Sequence, residues 1–413
     1  MEKNRSIFEE PERLKNVQFS AIRTMLDKAA ALRSRGISVI ALSAGEPNFN
    51  TPERIKKETI KAIEQNYTHY GSNRGLPRLR EIVAEHIREQ TGVSYDPASE
   101  IVFTTGGAEA LNNIILATVD QGDEVIVLSP AFVSYKNLVN LCRGVCVEVP
   151  LKPEKGFQID LEDVKAAITP KTKMIIMNNP NNPTGAVYRK EDLEQLSRLV
   201  IGNNLLLLAD EMYSSLVYEG EFVSMASFPG MKEHAIIVNG FSKTYAMTGW
   251  RLGYLQADRR LVTHIMKVHQ YSSTCSPTFI QVGMAAAMDC QETKNEVEAM
   301  VEAFRRRREL VIERLEQVPG IAFIKPQGAF YVMADVSALG MTGEEFAALL
   351  LEKKQVAVIP AVSLGKGDAC RDFIRISFAA SEDDIAEGTE RMKALAEEIL
   401  AGGRKAPGKE KER

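Results

Sequence analysis

Between residues 100 and 256 short apolar runs alternate with longer stretches of helical, amphipathic character. The runs are Glu100–Thr104, Glu124–Leu128, Gly144–Val149, Met174–Met177, Leu205–Ala209, Ala235–Asn239 and Gly253–Gln256. Continuous apolar strands separated by helices predict a largely parallel sheet covered on both faces, an α/β fold. Upstream, Ile22–Arg35 carries helical periodicity stopped by Gly36. Ser38–Leu42 reads as a short strand running into Gly45-Glu46-Pro47, and Thr51-Pro52 as a helix start with Thr51 as N-cap. Downstream, a long polar helix is expected from near Thr293 to about Gln317. It precedes strands at Phe330–Met333, Val356–Ile359 and Phe373–Ser377 and a final helix at Asp383–Leu400. That second rhythm predicts a smaller α+β domain. The expected division is an N-terminal arm with part of the small domain (1–50), a large ligand-binding domain (51–290), a small C-terminal domain (291–400) and a disordered tail (401–413).

The 413 residues, 45% hydrophobic and 26% charged, suffice for a large core. Lys and Arg number 51 against 55 Asp and Glu, a net charge of −4. That balance offers no basic surface for nucleic acid. No run of about 18 apolar residues suggests a membrane span. The charged N-terminus has no apolar leader. The five cysteines, Cys142, Cys146, Cys275, Cys290 and Cys370, are odd in number and contain no Cys-x-x-Cys pair. This pattern suits a reducing cytoplasm, with Cys142 and Cys146 as buried thiols and no metal site. Arg305–Arg308 lies in a helical pattern between Glu302 and Glu309 and reads as a solvated face.

Five features carry candidate chemistry. Asp210 ends the run Leu205–Ala209, where strand ends in open α/β sheets meet ligands. A cap or a loop ion pair is the alternative. Lys243 follows another apolar strand among Gly240, Phe241, Ser242 and Tyr245; in apolar surroundings its amine becomes usable for imine formation. A plain surface lysine is the alternative. Thr104-Thr105-Gly106-Gly107-Ala108 ends a strand and opens a helix, whose free N–H groups suit a phosphate, or it is only a tight turn. The Asn178–Gly185 segment, with Asn-Pro repeats, places amides able to donate to a phenolate or carboxylate. Arg375 interrupts the apolar strand Phe373–Phe378 and calls for an anion, whether a ligand carboxylate or a structural partner.

Together, and in this order, these features resemble the class I/II pyridoxal-phosphate-dependent aminotransferases of the aspartate aminotransferase fold, from about residue 20 to 395. The motifs are Ala44-Gly45-Glu46-Pro47, Tyr70-Gly71, Asn182-Pro183-Thr184-Gly185, Asp210-Glu211-x-Tyr213, Ser242-Lys243 and Gly249-Trp250-Arg251-x-Gly253. The resemblance implies the type I fold for such cofactors, with a mostly parallel seven-stranded sheet in the large domain. It implies that Lys243 links to pyridoxal 5′-phosphate and acts as general base, and that Asp210 pairs with the ring nitrogen. Tyr213 and Asn182 would bond the ring hydroxyl oxygen, and Phe132 would stack on the ring. Gly107, Ala108, Ser242, Arg251 and a second subunit's Tyr70 would hold the phosphate. Arg375, helped by Asn182 and Gly45, would grip the substrate α-carboxylate. A homodimer with shared active sites and cis prolines at Pro130 and Pro183 follow from the same likeness.

Departures bear on specificity. Gly240 stands where some members carry a serine. Ala108 stands where certain aspartate-specific members carry a lysine, and Phe132 replaces a common tryptophan. Ser20-Ala21-Ile22-Arg23, the run 129–135 and Thr274–Phe279 are more similar to aromatic or broad enzymes. The expected reaction is ping-pong transfer of an L-amino acid's amino group, aromatic or broad, to 2-oxoglutarate or another 2-oxo acid. Aspartate transamination, or a lyase, cyclase or oxidase reaction on the same scaffold, is the alternative. A ligand-sensing regulator would need a DNA-binding module that the roughly 40 residues before Gly45 do not supply. A nicotinamide-dependent dehydrogenase would need the dinucleotide fingerprint, which is absent.

Overall fold

A computed structural model describes residues 7–17, 19 and 21–402. The expectations for residues 403–413, for Ser20 and for the first six residues of the arm lie outside the described residues. In chain order the strands are β1 (Ile40–Ala41), β2 (Ile101–Thr104), β3 (Glu124–Ser129), β4 (Val145–Pro150), β5 (Thr172–Asn178), β6 (Leu206–Asp210), β7 (Ala235–Gly240) and β8 (Gly253–Gln256). There follow β9 (Ala322–Phe323), β10 (Tyr331–Asp335), β11 (Val356–Ala357), β12 (Ile359–Pro360) and β13 (Phe373–Ser377).

The seven apolar runs become β2 to β8, one sheet in the order β2-β8-β7-β6-β5-β3-β4. All neighbours pair parallel except along β8, which runs antiparallel to both β2 and β7. The reason lies in the connection. Only a 3-10 turn, Thr248–Trp250, separates β7 from β8, and a parallel neighbour needs a full crossover helix. Side chains alternate between two apolar layers, as the two-residue strand period requires. Along β5, Met174 and Ile176 face one cluster, while Ile175 and Met177 face the other. Both layers are buried, so every strand reads as a continuous apolar run.

The later strands form a four-stranded antiparallel sheet, β12-β13-β10-β9. The expected single strand Val356–Ile359 is instead two. β11 pairs with β1, and the chain crosses at Val358 so that β12 pairs with β13. The helix Ala21–Ser34 lies one residue from its expected place, and Gln291–Leu315 and Glu382–Ala401 lie within two. Thr51 does not cap the next helix. Pro52 occupies the cap position, and the Thr51 hydroxyl donates to the Ala246 carbonyl at 2.9 Å, tying the helix Glu53–Glu64 to the loop after Lys243.

The arginine run is solvated only in part. Arg306 faces Glu382, but Arg307 and Arg308 are buried. Arg307 donates to Asn48 Oδ1 at 2.7 Å and lies 4.3 Å over the Phe49 ring, while Arg308 pairs with Glu219 at 2.6 Å. Arg308 also pairs with the adjacent Glu309, but Asn48, Phe49 and Glu219 come from segments remote in sequence, which the local Glu302 and Glu309 pattern does not reveal. Cys142 and Cys146 are half-buried, packed on the edge of the core, where burial pushes both thiols up. Among the described residues no helix is long and apolar enough to cross a membrane, and no cluster of three His, Cys, Asp or Glu suits a metal ion.

Ile175 is fully buried at the centre of the sheet, whereas Lys173 on the same strand is exposed. Ile175→Ala is expected to destabilise the protein by about 2–5 kcal/mol in urea unfolding, and Lys173→Ala by less than about 0.5 kcal/mol.

Candidate active site

The parallel strands β3, β5, β6 and β7 all point their carboxyl ends at one cavity of about 280 Å³. This is the crevice where open α/β sheets bind ligands. Its lining brings together Gly45, Gly107, Ala108, Phe132, Asn182, Asp210, Tyr213, Ser242, Lys243, Arg251 and Arg375. These are the residues singled out in the sequence, with one exception. Tyr70 lies outside the cavity and is 88% exposed.

Asp210 closes β6 and is buried. Its Oδ2 accepts from the Tyr135 hydroxyl at 2.7 Å and its Oδ1 from the Met212 amide at 3.1 Å. Among the described residues no arginine or lysine sits at ion-pair distance. Burial pushes its carboxyl up, opposed by those two hydrogen bonds and by the charge of Lys243. Lys243 stands just beyond β7, enclosed by protein except where its amine opens onto the cavity. Its Nζ donates to the Gly45 carbonyl at 2.6 Å and lies about 6 Å from the rings of Tyr213 and Phe330. Burial brings the amine down to about 8, against the pull of Glu46 and Asp210. The amine is therefore a usable nucleophile and base near neutral pH.

At one end of the cavity β2 delivers Gly106 into the start of the helix Gly107–Thr118. Gly106 adopts φ +75°, and a Cβ there would meet Arg251 Nη2 at 2.6 Å. A Cβ on Gly253 would meet the Gly107 nitrogen at 2.7 Å. Glycine is required because backbone, guanidinium and helix start are pressed together. The result is free N–H groups, a positive helix end and one guanidinium in a single cradle. Gly240, where a serine was the alternative, has no room for a side chain, since its Cβ would lie 2.9 Å from Gly253 Cα. Behind the cradle His269 bridges Glu109 Oε1 at 2.8 Å and the Asn73 carbonyl at 2.7 Å. Despite burial, hydrogen bonds from His269, Ser273 and the Thr105 amide hold Glu109 down at about 2.

At the opposite end Arg375 rises from β13 and is 2% exposed. Nη1 donates to Asn182 Oδ1 at 3.0 Å and Nη2 to the Ser43 carbonyl at 3.1 Å, while Nε has no partner. No carboxylate of the described chain meets it, so the structural ion pair raised as an alternative is absent. The prolines of Ser129-Pro130 and Asn182-Pro183 are cis, and so is that of Asn179-Pro180. Phe132 lies edge-on to Tyr135, ring centroids 5.7 Å apart.

A buried acid without a cation, a deprotonable lysine, an anion cradle and a buried arginine without an anion thus surround one cavity. A profile of the family Aminotransferase class I and II matches residues 37–392. The chain belongs to the class I/II aminotransferases. It is 41% identical over 392 residues to a probable aspartate/prephenate aminotransferase of Aquifex aeolicus, covering 94% of this chain and 98% of that one. It is 38% identical over 388 residues to aromatic-amino-acid aminotransferase 2 of Thermococcus litoralis, at 94% and 98% coverage. The solved aspartate aminotransferase of Thermus thermophilus with maleate superposes with a TM-score of 0.89 at 41% identity, over 94% of this chain and 99% of that one. The fold is that of the type I pyridoxal-phosphate enzymes, and this aminotransferase uses pyridoxal 5′-phosphate. The cavity fits that group: an amine for its aldehyde, an acid for its ring nitrogen and a cradle for its phosphate.

Several lining residues of the aminotransferase were not legible beforehand. Tyr135 and Tyr331 meet Asp210 and Tyr213 through hydroxyls, contacts that neither the run 129–135 nor the strand at Phe330–Met333 signals. The Thr248 hydroxyl donates to Glu46 at 2.6 Å, tying the Ala44–Pro47 motif to the residue just before Gly249.

The low amine value gives a direct expectation. In the cofactor-free protein, trapping of a small aldehyde on Lys243 with borohydride, mapped by mass spectrometry, should be half-maximal near pH 8 and fall away below it as the amine protonates. A midpoint near the ordinary value of 10.5 contradicts the burial argument.

Proposed function

We propose that this enzyme is a cytoplasmic homodimer that transfers the amino group of an aromatic or broad range of L-amino acids to 2-oxoglutarate or a similar 2-oxo acid, by ping-pong exchange. When bound, pyridoxal phosphate supplies the carbonyl that takes up the amino group and a ring that accepts the electrons left by the departing α-proton. Lys243 holds the cofactor through its amine and then moves the proton at the substrate's Cα. Asp210 keeps a proton on the ring nitrogen, which compensates the burial of its own charge. Tyr213 and Asn182 donate to the ring hydroxyl oxygen, and Phe132 covers a ring face. The amides of Gly107 and Ala108, with Ser242 and Arg251, bind the phosphate.

Arg375 orients the substrate through its α-carboxylate, assisted by Asn182 and the backbone at Gly45. The unpartnered Nε of Arg375 in a buried site is the observation that carries this reading. A guanidinium sealed from water and from protein anions is matched by a bidentate carboxylate ligand.

A second copy would supply Tyr70 to the phosphate. Tyr70 and Tyr271 are 88% and 87% exposed. The segments that bear them are joined by Asn73 to the Thr274 carbonyl (3.0 Å) and by Thr278 to the His69 carbonyl (3.0 Å). With Ile60 and Ile63 half exposed, this end of the molecule offers the apolar surface a partner would cover. The five unpaired cysteines suit a reducing compartment.

Donor choice follows from the lining. Its cations, Lys243, Arg251 and Arg375, all have assigned partners, and Ile22, Leu111, Phe132 and Tyr331 are apolar or aromatic. A side-chain carboxylate would find no unassigned cation among the described residues that line the cavity. The second reading, aspartate as donor, is favoured by the aspartate/prephenate relatives and by the neighbour that binds the dicarboxylate maleate.

Half-reaction spectra with phenylalanine, tyrosine, aspartate and alanine separate these readings. Rapid conversion by phenylalanine and tyrosine is expected, and conversion by aspartate alone contradicts the aromatic preference. Product formation should require a 2-oxo acid; ammonia released without one indicates a lyase or oxidase. Lys243→Ala should retain cofactor non-covalently and lose transamination by at least about 10³-fold; near-normal turnover contradicts the assigned base.

A further inference from the structure

Tyr331 opens β10 and is buried in the wall of the cavity. In the antiparallel ladder it pairs with Ser377, and its neighbour Met333 pairs with Arg375. Tyr331 and Arg375 are therefore diagonal neighbours on one face of that sheet. The Arg375 guanidinium lies 4.4 Å from the centroid of the Tyr331 ring. The Tyr331 hydroxyl lies 3.0 Å from the Tyr213 hydroxyl. One side chain thus touches both the residue that faces the substrate carboxylate and the residue that faces the cofactor's ring oxygen.

Burial raises both phenols, so both hydroxyls keep their protons near neutral pH. Each has a single proton to give. When Tyr213 donates its proton to the ring oxygen, its own oxygen is left as acceptor, and Tyr331 is the donor within reach. The chain Tyr331 to Tyr213 to ring oxygen then has one direction. A hydroxyl that accepts while it donates is the stronger donor. The Tyr331 ring meanwhile backs a guanidinium removed from water, where cation–π attraction is largest.

We propose that Tyr331 is a positioning residue with two contacts: its hydroxyl fixes and polarises Tyr213 toward the cofactor, and its ring holds Arg375 in the pose that receives the substrate carboxylate. This rests on the reading of Tyr213 and Arg375 given above. A donor on the ring oxygen stabilises the negative charge left there when the lysine-linked chromophore loses its proton. Weakening that donor raises the pH at which the visible colour changes.

The test compares holoenzymes of the wild type, Y331F, Y213F and the double variant Y213F/Y331F, matched for cofactor content, by absorbance titration. Y331F keeps the ring and the buried volume. It should raise the midpoint by about half a unit to one unit, and Y213F by more, while the double variant should match Y213F. Y331F should leave the dissociation constant of the non-reacting carboxylate 3-phenylpropionate within about twofold, and Y331L should raise it about tenfold. An unshifted midpoint in Y331F beside a shifted one in Y213F overturns the hydroxyl contact, as does an additive shift in the double variant. A carboxylate affinity unchanged in Y331L overturns the ring contact. An unshifted midpoint in Y213F removes the reading of Tyr213 itself, and the proposal falls with it.

Discussion

A carboxylate at the end of a buried strand, with no cation among the described residues at ion-pair distance, sets the terms for the site. Asp210 accepts from Tyr135 and the Met212 amide, two neutral donors, and burial still pushes its carboxyl up. Such a group is costly in an empty cavity. It becomes favourable once a ligand presents a proton-bearing nitrogen. The same burial lowers the Lys243 amine to about 8, so one desolvated pocket prepares an acid for one end of a ligand and a nucleophile for the other.

The same logic recurs at the two ends of the cavity. Arg375 has a free Nε and, among the described residues, no carboxylate partner, and Arg251 is pressed against the glycine turn at Gly106. Sites that hold uncompensated charge trade stability for function. The two-layered core around the parallel sheet supplies that stability. β3, β5, β6 and β7 meet the cavity only at their tips, where the strand ends and the apolar pattern no longer constrains the side chain.

Much of this was legible in one dimension. The runs became β2 to β8 because strands buried on both faces leave a continuous apolar signature. Asp210, Lys243 and Arg375 were visible because a charge at the end or in the middle of such a run violates the pattern. What stayed hidden depended on contacts remote in sequence. The direction of β8 follows from the length of the link before it. The break at Val358 follows from which of two sheets each half joins. Arg307 and Arg308 read as solvated because, apart from Glu309 beside Arg308, the groups that meet them, Asn48, Phe49 and Glu219, lie far along the chain. The hydroxyl contacts of Tyr135 and Tyr331 stayed hidden too, since a phenol's hydrogen bond leaves no trace in periodicity.

The central claim is that Asp210 holds a proton on the cofactor's ring nitrogen. Nitrogen NMR of the holoenzyme carrying ¹⁵N-labelled cofactor reads that proton directly. The account predicts a protonated ring nitrogen at pH 8 in the wild type, and an unprotonated one in Asp210→Asn together with a fall in amino-group transfer of about 10³-fold or more. An Asp210→Asn enzyme with the nitrogen still protonated and the rate unchanged would contradict it.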